Sequence, residues 1–125
     1  MLPALAALAQ ALPGAALGIV TNGEGEPQRA KLAAIGVADH FPVVIASAEA
    51  GVAKPDPAIF ALACERLGTE PHEAAHVGDR LDLDAHGAAA AGLRGVWLDR
   101  RRTGDAAAGV TTIATLHELP AALAA

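Results

Sequence analysis

Two acids, Asp79 and Asp84, stand five residues apart, after a short apolar run (Ala74, Ala75, Val77) and a turn at Gly78. Strand, glycine turn, acid and then an Ala-rich helix is the local plan of a site at the carboxyl edge of a parallel sheet. Asp79 is expected at the strand tip, its carboxylate facing the crevice. Asp84 is expected in the first turn of the helix, where the positive end of the dipole favours a carboxylate. Two such acids can hold a hard cation such as Mg²⁺, which takes a few carboxylates together with waters and phosphate oxygens. Taken alone, a plain turn followed by a helix-start charge explains the same two residues equally well.

Other polar positions close other apolar runs. Thr21-Asn22-Gly23 follows the run from Ala16 to Val20, and Lys54 opens Lys54-Pro55-Asp56-Pro57 after the run Val43 to Ala46. Singly, a threonine ending a strand and a solvated lysine before a proline turn need no function. With Asp79 they follow three successive strands and meet at the edge where α/β sheets bind ligands. A hydroxyl with nearby backbone N–H groups, a cation and a metal-holding carboxylate form a set suited to a phosphoryl group.

The elements that must position these residues are legible in outline. Leu2, Leu5, Leu8 and Leu12 recur at helical spacing, and Pro13-Gly14 closes that helix. Strands are expected at 16–20, 43–46, 74–77 and 95–98, with a short edge strand at 111–114. Helices are expected at 27–35, from Pro57 to the stop at Gly68, at 83–91 and in a final turn or two over 117–124. Asp56 is a good N-cap and Pro57 suits the first helical position; Ile59, Phe60, Leu62, Ala63 and Leu67 form that helix's core stripe. Ser47 to Ala53 reads as a loop, and Asp99 with Arg100, Arg101 and Arg102 as another. Strands with helices between them predict a three-layer, Rossmann-like parallel sheet with right-handed crossovers.

A chain of 125 residues suffices for one domain, 1–125, with a real core. Hydrophobic content of 53% and a formal charge of −5 argue for a globular chain without a nucleic-acid or anionic-membrane partner. The apolar N-terminus lacks a basic start and is too short to span a bilayer. Cys64, alone in the chain, reads as a small buried hydrophobe in a reducing, cytoplasmic setting. His72 and His76 are four apart but do not share a helical face, which argues against a zinc site.

Gly18-Ile-Val-Thr-Asn-Gly23, Lys54-Pro-Asp-Pro-Ala-Ile-Phe60 and Gly78-Asp79 through Asp84 resemble, in order and spacing, the second, third and fourth motifs of the haloacid dehalogenase-like (HAD) hydrolases, in their phosphatase branch. The likeness runs over about residues 12 to 102. It implies that Thr21 and the Asn22 backbone bind phosphate, and that Lys54 neutralises it and orients a nucleophile. It further implies that Asp79 is a Mg²⁺ ligand, with Asp84 supporting the metal or the lysine. The substrate would be a small phosphorylated metabolite, hydrolysed through a phospho-aspartate.

The family's first motif, an Asp-x-Asp at the tip of a central strand, has no counterpart here: no Asp or Glu precedes Thr21. Asp82-Leu83-Asp84 has the right letters but already belongs to the fourth motif. The resemblance therefore implies an incomplete sheet without its central first strand, weak Mg²⁺ binding and no turnover by this chain alone. The strands expected to flank the missing one must leave edges unpaired or pair together. Marginal stability, self-association or a partner chain supplying the strand, or origin as a piece of a longer protein, is the expectation. A non-catalytic phosphate-binding or subunit module is the alternative. A receiver-like domain fits less well, because its acids precede its threonine and lysine.

Overall fold

The computed structural model describes residues 17–34, 36, 39, 41–100 and 109–124. The expected N-terminal leucine helix, and Arg101 and Arg102 of the arginine loop, lie outside them.

Five short strands form two parallel sheets. β1 (Gly18–Thr21) pairs with β2 (Val43–Ala46), from Gly18 opposite Val43 to Thr21 opposite Ala46. β3 (Ala75–Gly78), β4 (Arg94–Leu98) and β5 (Thr111–Ile113) follow in that order in the second sheet. The β-branched and apolar content of Ile19, Val20 and Val43 to Ile45 suits strands buried on both faces. Among the described residues no strand lies between β1 and β3, and the two do not pair with each other.

The layers follow from the two-residue period of strands. Ile19 and Val44 face Leu32 of α1 (Gly25–Ala34) and Phe41. Val20, Val43 and Ile45 face the other way, onto α3 (Pro57–Leu67). Asp56 caps α3, its side chain accepting from the Ala58 N–H at 2.9 Å, and Gly68 ends it. Ile59, Phe60, Ala63 and Cys64 are buried on α3, while Leu62 packs at the margin. That core also takes in Leu93 and Ala88, so α3 joins the two sheets. Val96, Leu98 and Ile113 form a second core with Leu119 of α5 (Leu119–Ala124).

Three expectations need correcting. The stretch read as a loop from Ser47 contains a single helical turn, α2 (Ser47–Ala50), too short to show a period. The helix expected from Leu83 to Ala91 is instead a π-helical turn (Leu81–His86) running into the short α4 (Gly87–Ala90). Asp99, expected in a polar loop, is buried at the end of β4, its N–H donating to the Ile113 carbonyl at 2.7 Å.

Candidate active site at the strand tips

Thr21 ends β1, and the turn after it is fixed from two directions. The Ala48 N–H of α2 donates to the Gly23 carbonyl at 3.1 Å. Arg29 of α1 makes a two-pronged ion pair with Glu49 of α2, at 2.7 and 2.9 Å. Asn22 spends its side-chain amide on the next site residue: Oδ1 accepts from the Lys54 N–H at 2.7 Å and Nδ2 donates to the Lys54 carbonyl at 3.0 Å. The amide keeps one N–H and one lone pair beyond these bonds, so both it and the Asn22 backbone can meet a ligand.

The Lys54 ammonium then reaches across to Asp84 Oδ1 at 2.7 Å, with side-chain exposures of only 12% and 6%. Asp84 was expected to lie near a helix start with its carboxylate supported by the dipole. In the structure the π-helical turn directs it back over the end of β3. The Ala85 N–H shares the Arg80 carbonyl with the Asp84 N–H, at 3.4 and 2.8 Å, which is the wider loop of a π-turn. Asp84 lies against Gly78 so closely that a β-carbon there would overlap its carboxyl carbon. Gly95 on the neighbouring strand is similarly covered by the Ala85 carbonyl. The two missing side chains let the turn sit on the sheet face.

Asp79 stands exposed just beyond β3, its carbonyl accepting from the Trp97 indole N–H at 3.2 Å. The structure thus links Asn22, Lys54 and Asp84 directly. Thr21 precedes Asn22 at the end of β1, and Asp79 follows Gly78, the end of β3 on which Asp84 lies.

The residue that sequence reasoning missed is His76. Its Nε2 lies 2.9 Å from the same Asp84 oxygen that takes Lys54, and its ring meets Phe60 edge-on at 5.1 Å between centroids. The sequence carries only part of the signal: His76 and Gly78 share one strand face, but that Asp84 lands on Gly78 shows only in the structure. Burial pushes the Asp84 pKa up, but hydrogen bonds from His76 and Lys54, the lysine charge and the Arg80 N–H together hold it down at about 2.

A cation would find oxygen donors here, but few. A carboxylate offers about four lone-pair positions, and Lys54, His76 and the Arg80 N–H occupy three of those on Asp84. Among the described residues no three His, Cys, Asp or Glu side chains converge as a metal-holding group. The exposed Asp79 carboxylate is an oxygen donor at this edge that could hold Mg²⁺.

Between the sheets runs a cleft of about 1030 Å³, lined by β1 and β3 alike and floored by α3, with Ile19, Val20, Cys64, Leu67 and His76 on its walls. Among the described residues no helix is long and apolar enough to cross a membrane.

Parallel strands layered with helices, with polar side chains gathered at their carboxyl ends, define a Rossmann-like α/β fold. The chain belongs to the haloacid dehalogenase-like hydrolases, whose family model matches residues 1–92, and within them to the phosphatase branch. It is 48% identical over 87 residues to a phosphoserine phosphatase of Thermus thermophilus, covering 70% of this chain and 35% of that protein. It is 46% identical over 92 residues to a glyceraldehyde 3-phosphate phosphatase of Methanopyrus kandleri, covering 74% of this chain and 40% of the relative. A crystal structure of a HAD phosphatase from Thermococcus onnurineus superposes with a TM-score of 0.80 at 42% identity, over 97% of this chain and 55% of that one. The chain thus spans well under two thirds of the length of these relatives.

Proposed function

We propose that the crevice binds the phosphoryl group of a small phosphorylated metabolite, as part of a phosphatase working through a phospho-aspartate. The observation that carries this is the chain of contacts Asn22–Lys54–Asp84, which draws the ends of β1 and β3 and the turn before α3 to one edge. The Thr21 hydroxyl and the Asn22 backbone N–H take phosphate oxygens. Lys54, held by one of its three donors on Asp84, turns the others to the same oxygens. Asp79 is the direct ligand for Mg²⁺, and Asp84 beside it adds negative charge more than a metal bond. When bound, Mg²⁺ supplies charge neutralisation at the phosphoryl group. With so few protein ligands its binding is weak.

Attack at phosphorus needs a nucleophile, and each acid at this edge already has another task. The cleft between β1 and β3 suits a further parallel strand, whose tip would deliver a carboxylate beside Thr21 and Lys54. A strand there would pair with both flanking edges, whether it comes from the same polypeptide, a second copy or a partner chain. Without it the 125 residues form a phosphate site and release no phosphate. A purely binding role rests on the same crevice.

Thermal unfolding with and without millimolar inorganic phosphate and Mg²⁺ tests the site. A higher melting temperature, lost in Lys54→Ala, is expected. No shift in the unaltered chain would sink the proposal. Mg²⁺-dependent release of phosphate from an aryl phosphate by this chain, abolished in Asp79→Asn, would instead overturn the requirement for another strand.

A further inference from the structure

We propose that His76 is a positioning residue for Lys54. It donates its Nε2–H to Asp84 Oδ1 and so fixes the carboxylate that holds the ammonium. Its functional meaning rests on the phosphoryl-site reading above; the hold itself does not.

The geometry allows few alternatives. Asp84 projects from a π-helical turn, a local structure whose own hydrogen bonds leave the carboxylate free to swing about two torsions. Lys54 reaches it on a long flexible stem, so an ion pair between these two alone would wander. Two groups with little freedom remove that play. The Arg80 N–H, fixed by backbone, grips Oδ2 at 3.2 Å, and His76, fixed by its strand and by Phe60, grips Oδ1. Lys54 is then held at both ends, at its peptide by Asn22 and at its ammonium by Asp84.

The ionised carboxylate accepts only, so the ring nitrogen facing it carries a proton. His76 is also 13% exposed and lies on the wall of the cleft. A strand seated there would pack on the residue that sets the lysine.

Competitive acylation provides the test. The chain has two lysines, Lys54 and the exposed Lys31, so acetic anhydride labelling read by peptide mass spectrometry gives a Lys54-to-Lys31 ratio with an internal reference. His76→Leu keeps apolar contact with Phe60 and removes the donor; His76→Gln keeps an N–H at similar reach. The Leu variant is expected to raise the ratio roughly tenfold, as for one lost hydrogen bond to a charged group, and the Gln variant to stay within about twofold of the unaltered chain. A ratio unchanged in Leu, or raised equally in Gln, overturns the proposal. Should the Leu variant not fold, long-range ¹H–¹⁵N spectra of the unaltered chain decide. A proton on Nε2 of His76 is expected; a ring protonated on Nδ1 alone overturns it. Phosphate-induced melting shifts and Lys54 labelling can fail separately, which keeps the site and the hold distinct.

Discussion

Asp84 sits where burial favours its neutral form, and it stays ionised because donors from three elements meet on its two oxygens. A carboxyl held near 2 in the fold and near 3.9 in the unfolded chain adds stability above about pH 4, lost as pH falls through about 2. The amount is on the order of 2 kcal/mol. Asp84→Asn is expected to remove this part of the acid dependence. Urea midpoints for both proteins between pH 5 and pH 2 would check it, and parallel curves would refute the assignment. Thr21, Lys54 and Asp79 stood out in the sequence because each comes after an apolar run. The company Asp84 keeps was not. It depends on a turn one residue wider than the α-helix that the alanines suggest, and on a histidine whose strand face shows only once Gly78 is recognised as a landing place.

At the scale of elements, the π-helical turn is pressed onto β3 and β4 and tolerates no side chain beneath it. A β-carbon at Gly95 would stand 2.8 Å from the Ala85 carbonyl carbon, with backbone on both sides unable to give way. Gly95→Ala is expected to cost about 1–3 kcal/mol, as for other overpacked contacts, in chemical denaturation. It should also loosen Asp84, so that Lys54 labels faster. A variant of unchanged stability would mean that the turn is not seated as described. The long helix α3 was readable from its cap, its proline and its stripe; Cys64 is buried as read, and the burial departs from the stripe only in leaving Leu62 and Leu67 partly exposed. The single turn α2 was not readable, since four residues carry no period and its place is set by contacts with Gly23 and Arg29.

For the whole molecule, the division into two sheets governs behaviour. The resemblance implied two strand edges that stay unpaired or pair together, and among the described residues β1 and β3 do not pair. What holds the halves together is side-chain packing on α3 and the polar chain from Asn22 to Asp84. The strand proposal predicts that a synthetic apolar peptide of strand length, ending in Asp-x-Asp, raises the melting temperature and brings Mg²⁺-dependent hydrolysis of an aryl phosphate. A scrambled peptide with equal effect would show nonspecific association instead. Concentration-dependent melting of the chain without peptide would point to a second copy as the occupant.

The cleft also contains its own gauge. Cys64, the only thiol in the chain, lies 3% exposed on its floor, and burial, with a smaller contribution from Glu70, pushes its pKa above the usual thiol value. A disulfide reagent reacts with the thiolate, so in the closed arrangement it finds almost none. Every opening of the two halves about α3 makes Cys64 reactive for as long as it lasts. The labelling rate divided by that of a small free thiol therefore reports the fraction of time Cys64 spends exposed, by this or any other local opening. A strand bound between the sheets should suppress that rate, and the breathing of the site becomes measurable before any substrate is known.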